Sequence, residues 1–371
     1  MRSELVLATA LLCACQAPLV IGTELRESVA ALAVDPVSGD HLQAGFRFAA
    51  DADEAGSDLW YGRVDAAGKF RREATTLDVA GGSDAVRAAA RTEQGWVIAG
   101  HTTSASGQKV AWVRRLDDAE GTVWTTELGR AGTATSARAL AVASDLSVVV
   151  GGVEVQPGGK SDGWLARLSS DGAVLWRASF ATDFQLMASG NTVLGLTLVP
   201  PSVNQIYTVG QRTRGGATTA GGLQFSLAGD LFSSSPLPGR EARAVFADGF
   251  DRLDACITDE SGGLHLVRMD RGFVVSADLP LRAQGAELTL GGCAQERTAL
   301  WLGATAARPD GTRTPYVAKV ALSPFTTPSA TELAVGEATT VLSIETHEGT
   351  AFLGGRTEAL LRRWMSAAPS P

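Results

Sequence analysis

A unit of about 50 residues recurs along this chain from end to end, and that period limits its possible folds more than any other feature. It is plainest in the middle. Trp112-Val113-Arg114-Arg115-Leu116, a Gly121 turn and Trp124 are followed one unit later by Trp164-Leu165-Ala166-Arg167-Leu168, Asp171-Gly172 and Trp176. Self-similarity at this fixed period marks propellers and solenoids, in which each repeat is one supersecondary unit.

Each unit holds four short runs. In the second unit they are Ala85–Arg91, Trp96–Gly100, Val110–Asp117 and Thr122–Leu128. Runs rich in Val, Ala, Leu and Trp, separated by Gly, Asp and Ser, read as antiparallel strands joined by tight turns. The third run sets the register, because an aromatic or apolar residue recurs three places before a basic one. The pairs are Trp60 and Arg63, Trp112 and Arg115, Trp164 and Arg167, His265 and Arg268, Tyr316 and Lys319, and Leu360 and Arg363. The fourth unit, with Leu223 and Ser226 there, is degenerate. The second run usually ends in glycine: Gly45, Gly100, Gly151, Gly210, Gly303 and Gly354, with Thr258 in the fifth unit.

These units predict an all-β, seven-bladed β-propeller of four-stranded antiparallel blades. The last unit has runs at Thr340–Glu345, Thr350–Gly355 and Ala359–Met365 but no fourth. Leu19–Leu25 precedes the first inner strand as Val123–Leu128 precedes the next, so it is expected to complete the last blade and close the ring. Closure removes unpaired sheet edges. The inner runs are dominated by Ala and Val, as suits strands crowding a channel, and the Trp residues supply apolar surface between blades.

The stretches Asp162-Gly163-Trp164-Leu165-Ala166-Arg167-Leu168 and Asp171-Gly172-Ala173-Val174-Leu175-Trp176 resemble bacterial exported propeller repeats, including the seven-bladed β-propeller and delta-60 repeat families. That resemblance implies architecture; the roles of such proteins are many.

Leu5–Ala14 has the length of a signal-peptide core and is too short to span a membrane. It ends in Leu12-Cys13-Ala14-Cys15, which looks like a bacterial lipobox with Cys15 as the lipidated residue. Gln16 after it implies an outer-membrane lipoprotein if the host has such a membrane. An ordinary signal peptide or an uncleaved anchor is the alternative. The expected organisation is a signal peptide at 1–14, lipidated Cys15 and a short tether to residue 18, a propeller over 19–366, and a tail at 367–371. Export bears on Cys256 and Cys293, on the second strand of the fifth unit and the first of the sixth. Facing strands of neighbouring blades in an oxidising envelope permit a disulfide; two buried free thiols are the alternative.

With 40 acidic against 32 basic residues, the net charge is −8, which argues against general nucleic-acid affinity. No nucleophile elbow or metalloprotease motif occurs, and the 4 histidines are not spaced as metal ligands. His265, at a Trp position, reads as a packing residue. No cofactor is expected.

Three weaker signals remain. Asp51, Asp53 and Asp58 in an acidic loop with Gly56 could hold Ca²⁺, although the full EF-hand pattern is absent. Arg87, Arg138 and Arg243 stand at equivalent positions near the start of three inner strands, where they would form an anion-binding cluster or pair with local acids. Long loops joining second to third strands, His101–Lys109, Glu154–Asp162, Arg212–Gly222 and Ala306–Thr314, would project from one face. His101, Thr102, Gln108, Lys109, Arg212, Arg214, Arg308 and Arg313 are their candidate partner-binding residues.

The leading expectation is a lipid-anchored, monomeric, non-enzymatic propeller that binds an envelope protein or surface component. The alternative is a propeller enzyme, or a protein binding a sugar or anion at the channel mouth. Asp84 and Glu241 are the nameable carboxylates for an enzyme there, and both also fit turn positions.

Overall fold

The computed structural model describes residues 26–48, 56–65, 69–77, 82–104, 106–183, 191–199, 205–214, 216–247, 251–323, 325, 328–333, 339–357 and 363–369. They form a β-propeller. The first blade is β1 (Arg26–Val34), β2 (His41–Phe48), β3 (Ser57–Val64) and β4 (Thr75–Leu77). The second is β5 (Ala85–Thr92), β6 (Gly95–Thr103), β7 (Lys109–Leu116) and β8 (Thr122–Glu127). The third is β9 (Ala134–Val142), β10 (Val148–Val155), β11 (Ser161–Leu168) and β12 (Val174–Ser179), followed by a helical turn, α1 (Phe180–Asp183). The fourth is β13 (Thr192–Val199), β14 (Gln205–Arg214), β15 (Ala217–Ser226) and β16 (Leu231–Pro236). The fifth is β17 (Glu241–Ala247), β18 (Arg252–Thr258), β19 (Leu264–Asp270) and β20 (Val275–Leu281). The sixth is β21 (Glu287–Glu296), β22 (Ala299–Ala307), β23 (Arg313–Ala321) and β24 (Ser329–Glu332). A last sheet holds β25 (Thr339–His347), β26 (Thr350–Thr357) and β27 (Arg363–Pro369).

Every sheet is an antiparallel meander in chain order. The expected seven four-stranded blades are thus six, with a seventh sheet of three strands among the described residues. The proposed fourth strand of that sheet, 19–25, lies outside them, as does the Cys15 lipobox. The last sheet also shifts the expected register. β27 begins at Arg363 and runs through Ala367 and Ala368, which had been assigned to a tail, and Trp364 rather than Leu360 lies opposite Gly355. Trp364 thereby takes the position held by Trp60 opposite Gly45 and by Trp112 opposite Gly100.

The core lies between sheets. Trp164 packs with Val97, Ala99 and Val113 of the preceding blade. Trp301 packs with Ile344 and Leu353 of the following sheet. The first and last sheets share a core too: Val29, Leu32 and Trp60 meet Phe352, and the Ser343 hydroxyl donates to the Val29 carbonyl at 3.3 Å. Trp60, Trp96, Trp164 and Trp301 are fully buried, and each large ring removes far more apolar area from water than the Ala and Val around it.

Four basic residues of the third strands are inter-blade clamps. Arg63 donates to the Asp118 carbonyl at 3.2 Å, Arg115 to Ser170 at 2.9 Å, Arg167 to Leu227 at 3.1 Å and Arg268 to Leu322 at 2.8 Å. In each case the acceptor lies just after the third strand of the next blade. The outer-strand tryptophans converge on two of the same carbonyls: Trp124 donates to Ser170 at 3.0 Å and Trp176 to Leu227 at 2.9 Å. Gly172, at a φ of 88°, sits under the Trp124 ring, where an added Cβ would come within 2.7 Å of it. One Arg-Trp-Gly set therefore fixes each of these two blades to the next, which explains why those residue types recur with the period.

Cys256 on β18 and Cys293 on β21 are joined by a disulfide, with Cα atoms 6.8 Å apart, so the fifth and sixth blades are also linked covalently.

Candidate functional site

The site begins with a backbone irregularity. Each inner strand slips register once against its neighbour. The residue left without an opposite number is Ala30, Arg87, Arg138, Leu194, Arg243, Gly291 and Leu342 in turn. Such a bulge re-aims the side chain of its extra residue. It also explains the recurrent glycine on the second strand. A Cβ on Gly100 would lie 1.9 Å from the Ala85 carbonyl oxygen, and one on Gly152 1.9 Å from that of Ser136. The structurally shared position is therefore Gly45, Gly100, Gly152, Gly210 and Gly355, one residue beyond the expected Gly151 and Gly354. Ile257 and Ala304 fill it in the fifth and sixth blades.

Arg87, Arg138 and Arg243 are thus true equivalents, and they share the end of the channel from which the inner strands start. Arg138 lies within electrostatic range of both others. Desolvation, then the neighbouring Arg138 charge, pushes Arg87 down to about 10. Its Nε has no hydrogen-bond partner among the described residues, and its guanidinium stands 5.2 Å from the Phe46 ring centre. Desolvation by the channel wall also lowers Arg138, although that side chain still reaches solvent; Arg243 adds to the effect and Glu241 opposes it. Arg243 is ion-paired with Glu241 and donates to the Leu290 carbonyl at 3.3 Å. Gln211 holds the other Glu241 oxygen at 3.1 Å.

His101 is buried beside this cluster, its Nδ1 3.2 Å from the Ser136 hydroxyl. Burial first, then Arg87, Lys109 and Arg138, push it down to about 3, so the ring is neutral at neutral pH. The charges converging here are therefore mainly positive, with Glu241 as counterion to one arginine.

The opposite end of the channel differs. A cavity of about 840 Å³ opens between the ends of β1, β5, β9 and β25 and their turns. Asp35 and Arg91 on its wall pair at 3.1 Å, and Arg91 also meets Asp118 at 2.8 Å. Glu345 lines the same cavity and is pushed up to about 7 by desolvation, opposed by the Thr346 amide at 3.1 Å. The sequence reading did not single out Glu345; a lone acid in the Thr-, Ser- and aliphatic-rich run Thr339–His347 was the available signal.

The proposed loops are shorter than expected, because the strands extend into them. The hairpin tips are 104–108, 156–160, 215–216 and 308–312. In 212–222, the Thr-rich stretch from Ala217 pairs back along β14 as far as Arg214. His101 and Thr102 lie inside β6, with His101 buried, so His101 is not a loop residue. Gln108 is half-buried and donates to the Thr133 carbonyl at 2.7 Å and to that of Arg130 at 3.3 Å. Lys109 and Arg313 are exposed at strand starts. Arg212 donates to Ser234 at 3.3 Å, and Arg308 pairs with Glu332 at 2.5 Å. Arg214 ends β14.

Other expectations fare differently. Asp58 lies on β3 opposite Arg47, while Asp51 and Asp53 are outside the described residues. Among the described residues no group of three or more His, Cys, Asp or Glu is placed to hold a metal ion. His265 does occupy the Trp position, opposite Ile257, but it bridges two carboxylates rather than packing as an apolar ring. Its Nδ1 is 2.7 Å from Asp278 and its Nε2 3.2 Å from Asp259. Asp84 is a buried structural acid that accepts from the Thr103 amide at 2.9 Å.

No protein-family model matches this chain, and no curated protein matches it. Solved structures do. The BP39L lectin from Burkholderia pseudomallei aligns with a TM-score of 0.59 and 13% identity, over 95% or so of both proteins (93% of this chain and 97% of the lectin). The WD40 β-propeller domain of Doa1 aligns at 0.54 and 10% identity, covering 95% of this chain and 96% of that domain. Sqt1 from Chaetomium thermophilum aligns at 0.52 and 13%, covering 95% and 98%. At these identities the likeness is one of fold: the chain is a β-propeller whose blades are four-stranded antiparallel sheets.

Proposed function

We propose that this chain is a lipid-anchored, non-enzymatic propeller of the cell envelope that binds a protein or surface component through its hairpin face. The observation that carries this reading is the shared direction of the tips at 104–108, 156–160 and 308–312, which place exposed residues such as Lys109 and Arg313 on one end of a rigid ring. Binding residues are often displayed in this way, on short connections held by a scaffold. Propellers as unlike as a lectin and a WD40 domain share the architecture.

The anchor belongs to the same reading. Each outer strand starts at the end where the inner strands finish and runs toward the hairpin face, as β8 does between 117–121 and β9. If residues 19–25 supply the missing outer strand of the seventh blade, the tether to Cys15 leaves from the end opposite the hairpins. The hairpin face then points away from the membrane. The Cys256–Cys293 disulfide supports export to an oxidising compartment, such as the outer-membrane side of a bacterial envelope.

Two experiments test this. Cys15→Ser should move the protein from the membrane to the soluble fraction, and continued attachment would defeat the anchor. Affinity capture from native membranes should recover a stoichiometric partner that a Lys109→Ala, Arg313→Ala variant loses while keeping its melting temperature. Equal recovery by that variant would remove the hairpin face from the account.

A further inference from the structure

We propose that Arg87, Arg138 and Arg243 form an oxyanion site at the hairpin end of the channel, taking the carboxylate or phosphate groups of a multiply charged ligand. This goes beyond the hairpin-face reading and does not depend on it. The ring supplies its own control. Seven inner strands carry the same bulge, and at four of them the extra residue is Ala30, Leu194, Gly291 or Leu342. The backbone irregularity therefore does not require arginine. Three strands nevertheless place one there, and the three lie close enough for Arg138 to act on both others.

Like charges brought together repel, which works against folding unless an anion joins them. Among the described residues that anion is supplied only in part. Glu241 is the ion-pair partner of Arg243 and lies within range of Arg138, whereas Arg87 makes no ion pair and leaves its Nε unsatisfied. Lys109 adds a further positive charge nearby, and His101 beside the cluster is neutral. Guanidinium groups present planar pairs of donors that match carboxylate and phosphate oxygens, so an oxyanion with two or more charges is the ligand this geometry fits. Glu241, already held by Gln211 at 3.1 Å, would stay with Arg243 while the ligand engages Arg87 and Arg138.

The test is calorimetric titration of the full-length protein at low salt with three probes: citrate, inorganic phosphate and a glutamate-rich hexapeptide. At least one should bind saturably, more weakly as salt is added. An Arg87→Leu, Arg138→Leu variant should bind at least tenfold more weakly, while Arg297→Gln, exposed in the turn between β21 and β22, should bind as the parent does. Leucine already stands at two equivalent positions, so the double variant is expected to fold. Its ligand-free melting temperature should equal or exceed the parent's, because a repulsion has been removed; a structural role for the arginines predicts a lower one. Preference for citrate or phosphate would identify a free anion, and preference for the peptide would identify the acidic groups of a partner. The proposal is overturned if no probe binds saturably at millimolar concentration, if the double variant binds as tightly as the parent, or if the unliganded variant is less stable.

Discussion

Glu345 shows how much one residue in the channel can report. Its carboxyl is pushed up to about 7 by desolvation, from an ordinary value of 4.5. Between those two values the folded chain holds a proton that the unfolded chain has released, so stability falls as pH rises from about 4.5 to about 7. Glu345→Gln should flatten that part of the stability-pH curve, measured by urea unfolding at several pH values; an unchanged slope would contradict it. The other titratable groups on that cavity wall are Glu93 and the Asp35–Arg91 pair. His101 works in the opposite direction. Its pKa is lowered to about 3, so its contribution is present above the ordinary 6.5 and is lost as pH falls. At this scale the sequence showed that Arg87, Arg138 and Arg243 are equivalent, because alignment of repeats reveals equivalence. Whether they cluster or pair with local acids stayed open in the sequence, since convergence depends on a bulge whose trace there is a glycine on a different strand.

Among elements, the contacts between blades carry the sharpest predictions. Arg115 is largely buried and donates to the Ser170 carbonyl and to Gln94 at 2.6 Å. Arg115→Ala should cost about 2–3 kcal/mol, as expected for hydrogen bonds from a charged donor. Trp164→Ala, which empties a fully buried ring position between the second and third blades, should cost about 3–5 kcal/mol. Denaturant midpoints check both, and a loss under 1 kcal/mol for either would contradict the clamp or the core as described. The disulfide closes a separation of 37 residues. Reduction should lower stability by about 4 kcal/mol on chain-entropy grounds, and equal midpoints with and without reductant would contradict this. Strand existence was readable from the alternation of apolar runs and turns. Strand ends were less so. Thr and Gly around 212–222 look like a flexible loop when read alone, yet pairing between β14 and β15 draws them into a long hairpin. Likewise, Leu360 and Arg363 mimic the repeat spacing, while the pairing of β26 with β27 selects Trp364.

For the whole molecule, the period of the sequence specified a propeller, and the packing of the first sheet against the last closes the ring through Val29, Trp60, Phe352 and the Ser343 hydroxyl. The partner and the ligand were not legible, because they depend on exposed residues whose placement the repeat does not constrain. The number of complete blades, the face from which the tether leaves and the outward direction of the hairpins all rest on one proposed element, residues 19–25 as the outer strand of the seventh blade. Hydrogen exchange, read segment by segment on the mature protein, tests it directly. Our account predicts that amides in 19–25 are protected to the same degree as those in Thr122–Glu127 and Val174–Ser179, the outer strands of the second and third blades. Exchange of 19–25 at the rate of an unstructured peptide, with those outer strands protected, would contradict it and leave the seventh sheet with three strands.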